Sequence, residues 1–305
     1  MSIAEPTVAM PVASEEANDR RDRLRQVFRS ATFLTGLAVV LFWVFCAIFG
    51  SVIVPYDPYA DDLMNALMPP SAEHWFGTDQ LGRDVFSRVI VGARDILTIA
   101  PLATLISTVV GTALGLVMGY FRGFIDEGIS RIVDALLALP TVIVALLALV
   151  ALGPSSTTVV FVIGFTFAPI IARTVRASVL AERELDYVFA AQLRRENAFH
   201  IMFVEILPNV TASVIVYTTL LIPGAITGEA TLSFLGLSVV PPTPSWGNML
   251  ADAMAYYKVA WWFVLFPGAA LLITTVAFNV LGDSVRDALD PRRDTASRDT
   301  GEETP

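Results

Sequence analysis

The chain holds one cysteine, Cys46, one lysine, Lys258, and two histidines, His74 and His200, in 305 residues. A lone thiol inside an apolar run excludes a disulfide framework and a cysteine-based metal cluster, and leaves Cys46 to apolar packing. The two histidines lie far apart in sequence, so a shared metal site is not expected. No phosphate loop of the G-x-x-x-x-G-K-[ST] type is present, and Lys258, within "YYKVA", cannot serve one. No G-x-S-x-G, no H-E-x-x-H and no pair of intramembrane aspartates stands out, which argues against a membrane enzyme. The formal net charge of −9 comes mostly from acidic groups in the tails and outer loops, and leaves no basic face for nucleic acid. The expected set of catalytic, cofactor-binding and metal-binding residues is therefore empty.

Charge of either sign is scarce, at 16% of residues, against 55% hydrophobic residues and a mean hydropathy of +0.64. That composition places the chain in a bilayer. Crossing about 30 Å of hydrocarbon takes roughly 20 apolar residues. Such runs span 31–54, 96–121, 206–228 and 259–282. A longer run, 135–172, carries the turn signal "GPSS" at 153–156 and is read as two helices joined by a tight hairpin. The expectation is an all-α polytopic protein with six transmembrane helices. About thirty polar residues precede the first run, so that span is expected to be retained.

Six spans put both termini on one side. If that side is the cytoplasm, it receives sixteen arginines: 20, 21, 23, 25, 29, 122, 131, 173, 176, 183, 194, 195, 286, 292, 293 and 298. The other side keeps Arg83, Arg88, Arg94 and Lys258. The positive-inside rule favours this orientation. It divides the chain into a cytoplasmic tail at 1–30, a first span at 31–54 and an outer segment at 55–95. A membrane core follows at 96–285, with a cytoplasmic excursion at 181–208 and an outer loop at 236–260, and a cytoplasmic tail closes the chain at 286–305.

The excursion, "RELDYVFAAQLRRENAFHIMFVEILPNV", is polar between two apolar runs. Val188, Ala191 and Leu193 form an apolar strip, "RREN" interrupts it, and "AFHIMFVEIL" resumes with helical spacing before Pro208 stops it. Two short helices with a bend are expected. Small Ala190 and Ala191 permit close approach of a partner, and the flanking charges keep the element out of lipid.

Elsewhere, Gly111, Gly115 and Gly119 stack on one face of the second span and suit close helix packing, within this chain or against a partner. Glu229, with Ser233 a turn later, falls in the outer half of the fifth span, where an ionisable residue normally faces a cavity or a partner. It is read either as part of a translocation pathway or as a hydrogen bond at a helix break. The segment 76–94 reads as a short helix on the surface with Arg83, Asp84 and Arg88 on polar positions. "PPTPSWG", 241–247, carries turn-fixing prolines including Pro244 and the aromatic Trp246.

Three segments carry a family resemblance. Ala190, Ala191 and "ILP" at Ile206, Leu207 and Pro208 fall at the offsets of the Glu-Ala-Ala loop of ABC importer permeases. "HWFGTDQLGRDVFSRVIVGAR" (74–94) and "EATLSFLGLSVVPPTPSWGNML" (229–250) resemble signature segments of the second permease of dipeptide and oligopeptide importers, and of related nickel and glutathione systems. The resemblance covers about 28–293. It implies the type I importer permease fold, with a coupling helix between spans four and five formed by Tyr187, Phe189, Ala190, Ala191, Arg194 and Arg195 together with Ile206, Leu207 and Pro208. It also implies alternating access driven by two cytosolic ATP-binding subunits that carry ATP and Mg, with no cofactor on this chain. Further partners implied are a second, homologous permease and an extracytoplasmic substrate-binding protein, the latter meeting Arg83, Asp84, Arg88, Pro244 and Trp246. The rival of another class is a self-sufficient secondary transporter, which needs coupling-ion residues and usually an internal repeat. The loop departs from the pattern twice: Phe189 stands where the family has Glu, and Arg195 where it has Gly. A side chain hinders the bend that Gly supplies, so a differently built turn is expected at 195.

Overall fold

In hydrocarbon every backbone polar group must be satisfied within the segment, so long apolar runs become helices. The computed structural model describes residues 30–289. The tail at 1–30 falls outside them except for Ser30, and the tail at 286–305 falls outside from 290 onward, with the arginines of both ends at 20–29 and 292–298. In chain order the helices are α1 (Ala31–Ile53), α2 (Val85–Phe121), α3 (Gly123–Ala138), α4 (Thr141–Leu152), α5 (Ser156–Glu182), α6 (Asp186–Leu193), α7 (Ala198–Phe234), α8 (Trp246–Ala253) and α9 (Trp261–Leu289). Among the described residues there is no β-strand, only an isolated bridge between Thr78 and Asp84. Helices α1, α2, α5, α7 and α9 are each long and apolar enough to cross a membrane; α3 and α4 make a sixth span only if taken together across a 94° bend.

Three boundaries differ from the apolar runs. Helix α2 begins at Val85, not at 96, and runs unbroken for 37 residues, about 55 Å. Asp84 caps it, accepting from the Ser87 amide at 2.8 Å and the Ser87 hydroxyl at 2.7 Å. Val85, Val89, Ala93, Ile96 and Ala100 then bury one stripe against the rest of the bundle. Residues 85–94 are thus the first turns of α2, and the segment between α1 and α2 closes at 84.

The 135–172 run does break at "GPSS": Gly153 takes φ +87° and Ser155 caps α5 by accepting from Thr158 N at 3.1 Å. Its first half, however, is only the 12-residue α4, about 18 Å long. Pro140 restricts Leu139 to extended backbone and sets α4 off from α3.

Pro208 does not end a helix. It sits near the start of the α-helical part of α7, after a π-wound stretch, Ile201–Ile206. A proline lacks the N–H and crowds the carbonyl four residues back. The wider winding removes that conflict, and Leu207 N bonds to Met202 O instead.

Helices α2 and α5 run parallel and touch backbone to backbone. A Cβ placed on Gly111, Gly115 or Gly119 would lie 2.5, 2.6 and 2.6 Å from Ile171, Val175 and Val179 Cβ, and Gly164 of α5 returns the contact to Ile106 at 2.8 Å. The glycine stripe therefore serves packing within the chain. At one end of the bundle Trp246 Nε1 donates to Val89 O at 2.8 Å, Trp262 Nε1 donates to Thr78 O at 3.1 Å, and Phe76 stacks on Phe266 at 3.7 Å. At the opposite end Arg176 grips Asp126 with two bonds of 2.6 and 2.7 Å, and Arg122 pairs with Glu184, joining α2, α3 and α5 beneath α6.

Candidate functional site

Helix α6 is short and exposed, so its position depends on how both ends are tied. Its C-terminus closes as a Schellman turn: Arg195 N bonds to Gln192 O at 2.9 Å and Glu196 N to Ala191 O at 3.3 Å. Arg195 occupies the left-handed position with φ +59°. The bend expected to be rebuilt around Arg195 is instead the one glycine makes, with an arginine held in it. Asn197 then caps α7 by accepting from His200 N at 2.7 Å.

One face of α6 is its seat. Val188 and Ala191 are fully buried and pack with Leu116 of α2, Val179 of α5 and Ile201, Met202 and Ile206 of α7. Ala191 thus does not share a docking face with Ala190: the close approach its small side chain permits is to this chain's own core. Ile206 is buried, Leu207 and Tyr187 are half-buried, and Pro208 is exposed. The outward face carries Phe189, Ala190, Leu193, Arg194 and Arg195, with Leu193 84% exposed. Phe199 and Phe203 of α7, stacked at 4.3 Å, are exposed as well, and their i, i+4 spacing on a polar excursion is the signal for them.

Polar ties surround this surface. Arg194 donates from Nε to Glu196 Oε1 at 2.7 Å and reaches Glu205 at 3.4 Å, while His200 Nε2 lies 3.3 Å from Glu196 Oε2. Glu196, His200 and Glu205 bring their ligand atoms within 4.8 Å of one another, a spacing a metal ion could use, but the Arg194 guanidinium already answers both carboxylates. The Tyr187 hydroxyl donates to Glu182 Oε1 at 2.8 Å and accepts from Asn209 Nδ2 at 3.1 Å. Burial, and then the neighbouring Glu182 carboxylate, push the Tyr187 phenol up to about 12.

The opposite end holds the residues expected to meet a partner. Arg83, Asp84, Arg88, Pro244 and Trp246 are all buried within the chain. Asp79 receives Arg83 Nε at 2.7 Å and stands 3.5 Å from Arg88, whose NH1 donates to Pro58 O at 2.8 Å. Asp84 also holds His74 Nδ1 at 2.9 Å. Charges that alternate with apolar residues read as a surface pattern, yet here they brace the loops at this end from within. Met64, Trp75, Val240, Tyr257 and Val259 are among the large apolar side chains which that end exposes.

Glu229 is fully buried. Ser238 donates to its Oε1 at 3.0 Å, while Glu229 Oε2 and Asp95 Oδ2 of α2 are buried without a hydrogen-bond partner among the described residues. Ser233, also fully buried, hydrogen-bonds Ser245 and donates to Asn248 Oδ1 at 3.1 Å. As placed, Glu229 and Ser233 are both hydrogen-bonded within the last two turns of α7. Ser233 additionally borders a small cavity of about 150 Å³ with Arg88, Asn248 and Asp252. Asp95 was not anticipated; an aspartate one position from the buried Ile96 on α2 was its signal.

A bundle of this kind, with an exposed short helix between α5 and α7, defines a polytopic membrane protein. The chain belongs to the family of binding-protein-dependent transport system inner membrane components, whose description matches residues 111–295, and residues 20–70 match the N-terminal transmembrane domain of oligopeptide transport permease C. It is similar to the dipeptide transport system permease protein DppC of Escherichia coli K12, 43% identical over 271 residues that cover 87% of this chain and 90% of that one. It is also similar to the di/tripeptide transport system permease protein DppC of Pseudomonas aeruginosa UCBPP-PA14, 42% identical over 270 residues covering 87% and 89%. Among solved structures, the inward-facing MetNI methionine ABC transporter shares the fold with a TM-score of 0.55 at 16% identity, covering 67% of this chain and 96% of that one.

Proposed function

We propose that this chain is one permease of an ATP-driven importer for dipeptides or short oligopeptides, forming half of the translocation pathway and receiving work from a cytosolic ATPase through α6. The observation that carries the reading is the outward face of α6. Phe189, Ala190 and Leu193 lie open beside Arg194 and Arg195, on an element whose other face is locked into the bundle. An exposed apolar patch rimmed by charge is what a protein partner covers. The absence of a phosphate loop supports placing ATP and Mg on that partner.

The orientation follows. The end carrying α6, Arg122, Arg131 and Arg183 faces the cytoplasm, together with both termini, and the end built from 55–84 and 236–260 faces outward toward a substrate-binding protein. A second, homologous permease completes the pathway, which changes the side on which it opens as two ATPase subunits close. The peptide substrate class rests on the names of the similar permeases.

The test is reconstitution with its companion permease, ATPases and binding protein in liposomes. Import of labelled alanyl-alanine is expected only from the complete assembly with ATP. Import of Ni²⁺ or glutathione in its place would keep the class and change the substrate. Accumulation of alanyl-alanine by this chain alone under a proton gradient would establish a secondary transporter.

A further inference from the structure

The tie made by Tyr187 differs in kind from the others around α6. Tyr187 is the second residue of α6, and its single hydroxyl meets groups from the two long helices that flank it. Glu182 is the last residue of α5, and Asn209 follows Pro208 in α7. Asn209 Nδ2 also donates to Glu205 O at 2.8 Å, one turn back in the π-wound region, so the bond anchors the place where α7 changes its winding. The Tyr187 ring packs at the edge of the apolar cluster that contains Val179 of α5, Val188 and Ala191 of α6 and Ile206 of α7. The phenol is held protonated well beyond physiological pH and keeps its donor role.

We propose that Tyr187 is a positioning residue of the coupling step: its hydroxyl ties α6 to α5 and α7 at once, so that a displacement of α6 moves both helices together. Val188 and Ala191 seat α6 by apolar contact, which tolerates sliding. A hydrogen bond to each neighbour fixes direction and register. Without the hydroxyl, α6 can still bind a partner through its outward face, but part of the imposed motion is lost as rocking on the apolar seat.

The proposal rests on the ATPase-driven function given above, and the experiment separates the two. Tyr187→Phe, Glu182→Gln and Asn209→Ala are each made in the complete assembly. ATPase co-purification reports docking, and import of labelled alanyl-alanine per ATP hydrolysed reports transmission. Tyr187→Phe is expected to keep the ATPase and to lower import per ATP by about fivefold, the equivalent of one or two lost hydrogen bonds. Asn209→Ala is expected to lower it in the same direction with the phenol ring intact, and the double variant to do little more than Tyr187→Phe alone. A purely structural role would reduce yield and thermal stability while leaving the ratio at the wild-type value, and that result in Tyr187→Phe overturns the proposal. Should Tyr187→Phe fail to fold, Asn209→Ala decides by the same ratio. Loss of the ATPase from folded Tyr187→Phe would place the residue in the docking surface and overturn it equally. A wild-type assembly that never retains an ATPase would instead refute the proposed function.

Discussion

Arg195 donates its amide to the Gln192 carbonyl at 2.9 Å while holding a left-handed backbone at φ +59°. This pairing closes α6 and turns the chain toward α7. Non-glycine residues reach that region at a cost of order 1 kcal/mol. Arg195→Gly should therefore raise the stability of the loop by about 0.5 to 1 kcal/mol and leave transport intact. A thermal melt of the purified assembly, with import measured alongside, checks it.

The two faces of α6 separate docking from folding. Ala191→Trp overfills the seat beneath the helix and should cost about 1 to 3 kcal/mol, visible as a lower melting temperature of the permease without any ATPase present. Leu193→Asp changes a residue 84% exposed, so it should leave the melt unchanged. It should weaken ATPase retention by about tenfold, roughly 1.4 kcal/mol. Co-purification and melting measured on both variants tell them apart.

Gly115 and Gly128 make a contrast within one stretch of the chain. A Cβ on Gly115 would fall 2.6 Å from Val175 Cβ and 2.7 Å from the Ala172 carbonyl, so Gly115→Ala forces α2 and α5 apart at a cost of about 1 to 3 kcal/mol. Nothing lies within 4 Å of a Cβ on Gly128, and Gly128→Ala in exposed α3 should stabilise by about 0.5 to 1 kcal/mol. Melting of the two variants in detergent should shift in opposite directions.

The pH response of the Tyr187 tie has a definite sign. The phenol is raised from 10.0 to about 12 in the folded protein, so its contribution is complete below the unfolded value and is lost as pH rises through the folded one. The difference in stability between the wild type and Tyr187→Phe should be flat across the physiological range and shrink only in strong alkali. Melting curves of both proteins against pH measure it.

How much of this was legible depends on what each feature answers to. Five of the spans were, because a bilayer demands apolar residues one by one and a run of them declares itself, whereas the pairing of α3 with the short α4 was not. The start of α2 was not, since Arg83, Asp84 and Arg88 look polar in sequence and are buried only because Asp79, Pro58 and His74 meet them. Nor was the passage of α7 through Pro208, which depends on the winding ahead of it. In α6 the strip of Val188, Ala191 and Leu193 was only partly right. Val188 and Ala191, three apart, share the inner face, whereas Leu193 lies five positions from Val188 and turns outward.

The most direct measurement concerns Leu193. A cysteine placed there in a Cys46→Ala background gives a single reactive thiol on the outward face of α6. In membrane vesicles that expose the cytoplasmic side it should react with an impermeant maleimide, lose that reactivity when the ATPase subunits are bound, and cross-link to them through a bifunctional reagent. Labelling of the same thiol from outside intact cells, or full reactivity with the ATPase bound, would contradict a cytoplasmic coupling role for α6.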